Sequence, residues 1–390
     1  MADNGRLVML LGSGISIPAG MPTVDEITER VLSGEGAYRH TDSTYYLGHA
    51  PDFMRSPVQR VLGLLKALQL HIESHKTDGW PGALPASYEE LAYLATQVSD
   101  AETGEVDNPA LDAFISRLRP EVQRYLSVGE EEGLNAWELH ELGEQATRYV
   151  ENVEWRLLLK EPKEGEHLRS LLEACADEDY GGTDIFTLNH DTVLESYLSR
   201  KGVDFKDGFG QPVNGIRYWQ PDGYEVPTPK ASIHKLHGSI DWFLFSNHLG
   251  IPLHWDIWHQ TDPFGRLQHA MGGKPLLLTG TFNKMLAYLK SPFLELHYRF
   301  YRALLGTSRL LVCGYGFGDK GINSRIFEWM NASSQHCITV VHADSDQLRS
   351  NPRSGLSWRS EVWLKEGRLR IVPKWIEDGT SWADIRPAMD

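Results

Sequence analysis

The 390-residue chain has little cysteine, no long apolar run and no surplus of basic residues. Its three cysteines, Cys175, Cys313 and Cys337, are far apart, which argues against a disulfide framework and against a cysteine-based zinc site. No segment approaches the roughly 18 consecutive apolar residues of a membrane span, and no signal peptide is visible. We therefore expect a protein of the reducing cytoplasm, without a metal and without a membrane partner.

The charge of the chain argues against nucleic acid as a direct partner. The formal net charge is −15, and no basic block is longer than Arg368-Leu369-Arg370. A negative protein without a basic patch is repelled by phosphate backbones. The composition, 41% hydrophobic and 23% charged, is that of a globular chain, long enough for about two or three domains.

Short apolar runs recur along the chain, and each is followed by small or polar residues. They cover residues 6–11, 184–188, 231–236, 309–313 and 338–342. A helix is expected after the first run, since Thr23 and Glu26 have the spacing of a capping box. Because open parallel sheets bind ligands at the carboxyl ends of their strands, the pattern predicts an α/β, Rossmann-like fold. The sheet is expected to be mostly parallel, with helices on both faces.

Residues of about 30–165 have a different pattern, with apolar side chains three and four positions apart and no clear strand signal. This predicts a large helical insertion, interrupted near 79–85 and 101–109. The expected division is a discontinuous core (1–30 and 165–345), the insertion (31–164) and a C-terminal extension (346–390) with a strand at 369–372. The stretch of about 205–285 is expected to hold loops and short strands.

The first strand runs into Gly12-Ser13-Gly14, a pattern that lets a backbone approach a pyrophosphate at the start of a helix. The alternative is a tight turn that merely needs glycine torsions. Ser16, Gly20 and Pro22 extend the pattern.

With these additions the sequence resembles the Sir2 family over residues of about 5–30 and 180–345. Sirtuins open with Gly-Ala-Gly-x-Ser and Gly-Ile-Pro, continue with Thr-Gln-Asn-Ile-Asp, and then carry a catalytic His-Gly and a glycine-rich strand end. The corresponding positions, in the same order, are Gly12, Gly14, Ser16, Gly20 and Pro22; Thr187-Leu188-Asn189-His190-Asp191; His237-Gly238; and Gly314-Tyr315-Gly316-Phe317-Gly318-Asp319.

The resemblance implies that NAD is the substrate. Asn189 would bind the ribose and orient the attacking water, His237 would act as general base, and Asp191 would hold the nicotinamide end. The alternatives from the residues alone are a helix N-cap for Asn189 and a structural turn histidine for His237. His190 replaces an aliphatic residue of sirtuins and is interpreted as a wall residue.

The remaining NAD-binding positions are expected at the strand ends. Asp319 or Asn323 could instead cap a helix, and Asp344 could be a turn residue. The expected set is Gly12, Ser13, Gly14, Ser16, Gly20, Pro22, Thr187, Gly314, Gly316, Phe317, Asp319, Asn323 and Asp344.

Besides His190 and Leu188, which replaces the Gln of the sirtuin motif, the sequence departs from sirtuin deacylases in two further places. Their four-cysteine zinc module is missing, since only Cys313 and Cys337 follow His237, and their Asp-Phe-Arg is replaced by Thr23-Val24-Asp25. The chain is more similar to the Sir2-like NAD hydrolases of bacterial anti-phage systems, which lack this module and carry helical insertions. That resemblance implies cleavage of NAD to nicotinamide and ADP-ribose, with depletion of cellular NAD as the defence output.

The same resemblance implies assembly. A homo-oligomer is expected, together with a separate defence protein, a HerA-type ATPase first and a short Argonaute second. Two other functions stay open: a protein deacylase or ADP-ribosyltransferase, and a non-catalytic module that senses NAD or ADP-ribose. A histidine-rich stretch is interpreted as a loop packed on aromatic residues rather than a metal site; its members are His248, His254, His259 and His269.

Overall fold

The structure is a computed structural model. It describes residues 5–49, 58–77, 85–104, 108–126, 136–211, 217–224, 230–246, 252–255, 274–281, 284–350, 354–356, 359–377 and 379–389. Residues 248, 259 and 269 of the histidine-rich stretch lie outside these ranges.

The described chain contains eleven strands and thirteen α-helices. In order they are β1 (Leu7–Leu11), α1 (Val24–Ser33), β2 (Ala37–Arg39), β3 (Tyr45–Leu47), α2 (Val58–Thr77), α3 (Tyr88–Thr103), α4 (Asp112–Leu126), α5 (Leu139–Leu158), α6 (Arg169–Cys175), β4 (Thr183–Thr187), α7 (Val193–Arg200), β5 (Phe205–Lys206), β6 (Ala231–Lys235), β7 (Phe243–Ser246), β8 (Pro252–Trp255), α8 (Lys284–Ala287), α9 (Phe293–Leu305), β9 (Arg309–Cys313), α10 (Lys320–Ala332), β10 (Cys337–Val341), α11 (Ser345–Ser350), α12 (Ser360–Lys365), β11 (Leu369–Val372) and α13 (Trp382–Ile385).

The chain divides into two compact units. Unit 1 consists of Met1–Met21, Glu161–Leu278 and Met285–Asp390, and unit 2 of Pro22–Lys160 and Thr279–Lys284. The sequence-based division, with boundaries at 30, 165 and 345, stays a prediction.

Unit 1 is built on a seven-stranded sheet with the order β11-β10-β9-β1-β4-β6-β5. Every pair of neighbouring strands in it is parallel, which confirms the predicted α/β class. The chain fills the β4 side of β1 before it returns to fill the β9 side. This reversal places a topological switch point at β1, where open parallel sheets bind ligands beyond the carboxyl ends of their strands.

The central strands are buried on both faces of the sheet, and β1 is apolar throughout. All five residues of β1 are buried, as are all five of β6 and of β10. Around the sheet lies a core that takes in side chains of α9 and α10, among them Phe300 and Ile326. The rigid strands fix the positions of the turns that follow them, and those turns carry the predicted motifs.

Unit 2 is mostly helical, with a separate apolar core contributed by α1 to α5. Helix α1 begins with the expected capping box, in which Thr23 accepts a hydrogen bond from the Glu26 backbone and Glu26 returns one. The interruptions also fall where predicted, since α2 ends at Thr77 and α3 ends at Thr103.

Unit 2 differs from the sequence-based prediction in holding an antiparallel hairpin. Its strands β2 and β3 pair Ala37 with Leu47 and Arg39 with Tyr45. Three-residue strands are too short to show a clear alternation of apolar and polar residues. The sequence pattern therefore did not predict β2 and β3. Across the described ranges, no helix is long and apolar enough to cross a membrane.

Candidate active site at the carboxyl edge of the sheet

The turns after β1 and β9 are in direct backbone contact. The Gly12 N–H donates to the Cys313 carbonyl at 3.0 Å, and the Gly14 N–H donates to the Gly314 carbonyl at 2.9 Å. A Cβ on Gly12 would lie 2.6 Å from the Gly314 oxygen, and one on Gly14 would lie 2.8 Å from the Gly314 Cα. Only glycine fits at these two positions, and the reason is contact between the two turns rather than left-handed torsions.

Gly316 and Gly318, in the turn after β9, are not in close contact with other backbone atoms as Gly12 and Gly14 are. A Cβ on either glycine would have nothing within 4 Å, and neither has a left-handed φ. Between them, Phe317 is buried and has a φ of 56°. Among the described residues there is thus no steric reason for glycine at 316 or 318, and both glycines are exposed at the surface of the turn.

Asn323 and Asp319 hold this turn in place. The buried Asn323 side chain donates to the Phe317 carbonyl at 2.6 Å and accepts from the Tyr315 hydroxyl at 2.8 Å. Asp319 is the N-cap of α10 and accepts from the Ile322 N–H. Asp319 is therefore the residue that caps α10. Asn323 instead holds the turn through its side-chain hydrogen bonds.

Asn189 follows β4 and faces Ser16 of the first motif. Its Nδ2 donates to Ser16 Oγ at 3.0 Å, and its own N–H donates to Thr187 Oγ1 at 3.1 Å. Helix α7 begins only at Val193, so Asn189 is not its N-cap. Asn189 is 6% exposed, and within the described part of the chain its Oδ1 is buried with no hydrogen-bond partner. A buried acceptor of this kind has the capacity to accept a hydrogen bond from water or from a ligand.

His237 follows β6 and lies within a group of polar side chains. Its Nε2 is 3.2 Å from the Tyr288 hydroxyl and 3.4 Å from Asp319 Oδ2. The Tyr288 hydroxyl also donates to Asp319 Oδ2 at 3.2 Å. On its other side Tyr288 stacks on His297, with ring centroids 3.7 Å apart. His237 is buried, whereas Tyr288 and Asp319 are partly exposed.

The local structure explains why the residue after His237 is a glycine, Gly238. Its φ is +84°, and a Cβ there would lie 1.9 Å from the Leu276 carbonyl oxygen. A side chain at this position is excluded by both torsion and space. The glycine thus lets the chain turn immediately after His237 and fixes where that histidine lies.

Lys235 ties the turn after β4 to β6. Its buried Nζ donates to the Asp191 carbonyl and pairs with Glu195 at 2.7 Å. Burial lowers the pKa of Lys235, but the carboxylates of Glu195, Asp241 and Asp191 outweigh burial and raise the pKa above its ordinary value. A charged Lys235 therefore supports the segment that carries Asn189.

Several other predicted positions have local contacts or torsions of their own. The Asp191 carboxylate accepts from the Val193 N–H at 3.0 Å, at the start of α7. Asp344 is exposed and accepts from the Gln347 N–H at 2.8 Å, as the turn interpretation expects. Ser13 is exposed beside the turn, Gly20 has a φ of 88°, and Pro22 is the first residue of unit 2.

The motifs did not point to Tyr288 or His297. Both lie outside the strand ends, and Tyr288 is separated from His237 by 51 positions. Nothing in their local sequence distinguishes them from other aromatic residues of helical segments. Among the described residues, no group of three histidine, cysteine, aspartate or glutamate side chains could hold a metal ion.

Comparison with known proteins identifies the class of this domain. A family model described as SIR2-like domain matches residues 183–362. The matched segment includes Asn189, His237 and the turn after β9.

A solved structure described as a crystal structure of a Sir2 homolog–NAD complex is 12% identical to the chain. The match covers 98% of this chain and 89% of the other, with a TM-score of 0.38, too low to carry a structural argument. No curated protein matches the chain.

Proposed function

We propose that this protein binds NAD⁺ at the carboxyl edge of β1, β4, β6 and β9 and hydrolyses the bond between nicotinamide and ribose. The observation that carries the proposal is the buried Oδ1 of Asn189, which has no hydrogen-bond partner among the described residues, while Nδ2 of the same side chain donates to Ser16 Oγ. A ribose hydroxyl or a water molecule is a donor of the right kind for this acceptor.

The turn after β9 supports the proposal as a site for the phosphates or the adenosine ribose. The open space at Gly316 and Gly318 admits a ligand close to the backbone. The N-terminus of α10 begins directly after Asp319, and helix N-termini favour negatively charged groups. This arrangement needs no basic side chain, which agrees with the scarcity of basic blocks in the sequence.

The chemistry places modest demands on the protein. As the C1′–N bond breaks, its electron pair leaves with nicotinamide and neutralises the pyridinium ring. A water oxygen forms the new bond to C1′, and one water proton must be removed. By resemblance to the Sir2 family, Asn189 orients this water and His237 accepts the proton, while Asp191 holds the nicotinamide end.

Asp319 and Tyr288 would assist His237. The Asp319 carboxylate lies 3.4 Å from Nε2 and would stabilise the imidazolium that proton transfer creates. The Tyr288 hydroxyl contacts both groups and would fix the plane of the imidazole ring. We assign Tyr288 as a positioning residue, because its contacts are with His237 and Asp319.

The biological setting is proposed from the same resemblance. Hydrolysis would deplete NAD in the bacterial cytoplasm during phage infection. The protein would act as a homo-oligomer and with a separate defence protein, a HerA-type ATPase first and a short Argonaute second.

The experiment is a comparison of matched variants in NAD turnover. Asn189→Ala and His237→Ala should each lower the rate of nicotinamide release by at least about 100-fold. Asn331→Ala and His75→Ala are the controls, because both residues are exposed and lie outside the proposed site. Circular dichroism and thermal unfolding verify that all four variants are folded.

Retained turnover in Asn189→Ala and His237→Ala would overturn the proposed mechanism. If the wild type binds NAD, which would raise its unfolding temperature, but releases no product, the sensing function replaces hydrolysis. Turnover that requires an acylated lysine peptide would instead establish a deacylase.

A further inference from the structure

A short segment of unit 1, residues 163–167, holds the turn after β1 at two points. The ring of His167 is buried, and its Nε2–H donates to the Ile15 carbonyl at 2.7 Å. At the other end of the segment, the Lys163 N–H donates to the Ala19 carbonyl at 2.9 Å. Both carbonyls belong to the turn that carries the first motif, so this segment restrains that turn from both ends.

The same segment is attached to α7, the helix that follows Asn189. The Arg200 side chain donates to the Glu164 carbonyl at 2.7 Å, and Lys201 pairs with Glu166 at 2.6 Å. The segment is therefore bonded on one side to the turn after β1 and on the other side to the helix whose preceding turn carries Asn189.

Packing contributes more to the attachment to α7 than the ion pair does. Lys201 and Glu166 are both exposed, and exposed ion pairs contribute little. Gly165 has a left-handed φ of 79°, and a Cβ there would lie 3.2 Å from Cδ2 of the buried Tyr197. The backbone of the 163–167 segment thus lies directly against α7.

We propose that the 163–167 segment positions Ser16 and Asn189 relative to each other, with His167 as the positioning residue. Nδ2 of Asn189 donates to Ser16 Oγ at 3.0 Å, and this bond fixes the plane of the amide. The direction of the buried Oδ1 follows from that plane. His167 bonds to the residue immediately before Ser16, so loss of its donor would let Ser16 shift and the amide rotate.

The effect on NAD rests on the proposed function, in which Asn189 orients the ribose or the attacking water. A misplacement on the order of 1 Å in a group that orients a reactant lowers the rate of the chemical step. His167 does not contact the turn after β9, where the rest of the dinucleotide is proposed to bind. Loss of the His167 donor should therefore lower kcat and leave KM nearly unchanged.

The test uses two substitutions of His167 and one matched control, all in the full-length protein. His167→Leu removes the donor, whereas His167→Gln keeps an N–H group at a similar distance from the backbone. The control is His336→Leu, because the His336 ring also bonds a backbone carbonyl, that of Trp329 at 2.5 Å, but His336 directly precedes β10 at the amino edge of the sheet. The two leucine variants thus lose the same kind of hydrogen bond at opposite edges of the sheet.

The first measurement is hydrogen exchange of backbone amides by mass spectrometry, which needs no NAD turnover. In His167→Leu, the peptides that cover residues 12–20 should exchange about tenfold faster than in the wild type, because a buried hydrogen bond no longer holds the turn. In His167→Gln and in His336→Leu, the same peptides should exchange at the wild-type rate.

The second measurement is the rate of nicotinamide release from NAD. His167→Leu should lower kcat about tenfold and change KM by less than about threefold, and His167→Gln should restore kcat to within about threefold of the wild type. His336→Leu should leave both constants unchanged. Should His167→Leu fail to fold, His167→Asn replaces it, because its shorter amide does not reach the Ile15 carbonyl.

Either of two results would refute the proposal. One is wild-type exchange of residues 12–20 in His167→Leu, and the other is a kcat of His167→Gln as low as that of His167→Leu when both are folded. If the wild type releases no nicotinamide, the proposed hydrolysis fails, and the exchange measurement alone decides whether His167 positions the turn.

Discussion

At the residue scale, Gly12 and Gly316 belong to turns after neighbouring strands but serve different purposes. Gly12 is packed against Gly314 and Tyr315, whereas a side chain on Gly316 would meet nothing within 4 Å. The fold thus requires the first glycine, whereas our proposal explains the second by a bound ligand. Sequence alone gave both the same interpretation, because the distinction depends on contacts between distant segments.

Alanine substitutions should separate these two purposes. Gly12→Ala should lower the free energy of unfolding by about 1–3 kcal/mol, because backbone atoms must move to admit the methyl group. Gly316→Ala should leave stability unchanged or slightly higher, since the backbone there is not left-handed, and should weaken NAD binding. Chemical unfolding and calorimetric titration with NAD measure the two effects. A destabilised Gly316→Ala with unaltered NAD affinity would contradict our interpretation of the open turn.

His297 should make stability depend on pH. Burial, followed by the nearby charge of His237, lowers the pKa of His297 from 6.5 to about 3. The unfolded chain therefore binds a proton at His297 before the folded chain does as pH falls. Protonation favours the unfolded state, and this contribution to stability is lost between about pH 6.5 and about pH 3.

The variant His297→Gln isolates this contribution from those of other buried histidines such as His234, whose pKa is also lowered by burial. Unfolding curves between pH 7 and pH 4 should show a shallower loss of stability in His297→Gln than in the wild type. Equal slopes in the two proteins would mean that His297 titrates normally in the folded state.

The position of a residue at the sheet edge could be predicted from the sequence where that residue follows a strand. Asn189 and His237 follow β4 and β6, and their backbone positions at the sheet edge come from hydrophobic pattern and chain order. Tyr288 could not be found in this way, because its place beside His237 arises from the packing of a distant segment. The open Oδ1 of Asn189 is likewise a property of the folded protein alone.

At the scale of elements, the strands of the sheet and the start of α1 follow closely from local sequence. Buried parallel strands are continuous apolar runs, and the capping box at Thr23 has a fixed spacing. The hairpin of β2 and β3 and the two-residue strand β5 could not be predicted from local sequence. Such short strands depend on pairing with neighbouring segments of the chain. The predicted class of the fold is confirmed, while the boundaries of its domains stay a prediction.

Helix packing in unit 2 gives a prediction for Gly143 of α5. A Cβ there would lie 2.9 Å from the Ala95 carbonyl oxygen on α3. Alanine favours a helix over glycine by about 1 kcal/mol, but overlap with backbone atoms costs about 1–3 kcal/mol. Gly143→Ala should therefore destabilise unit 2 in chemical unfolding.

The control for this experiment is Glu144→Ala, an exposed neighbour on the same helix. It should change the free energy of unfolding by no more than about 0.5 kcal/mol. If Gly143→Ala proves more stable than the wild type, helix propensity outweighs the close approach of α3 and α5.

At the scale of the whole molecule, the net charge of −15 opposes the approach of the NAD pyrophosphate. Affinity must then come from backbone N–H groups and the α10 N-terminus at short range. Raising the salt concentration from about 50 mM to about 300 mM should leave the KM for NAD unchanged or lower it, because screening weakens the repulsion. A KM that rises several-fold would indicate a basic binding surface that the proposed site lacks.

The central claim is that the carboxyl edge of the sheet, with Asn189 and His237, hydrolyses NAD. It is tested most directly by incubating the purified protein with NAD and no acceptor, alone and with the protein encoded beside it, and separating the products by chromatography. The account predicts nicotinamide and ADP-ribose in equal amounts. NAD that is bound but unchanged under both conditions, or consumed only when an acylated lysine peptide is added, would contradict it.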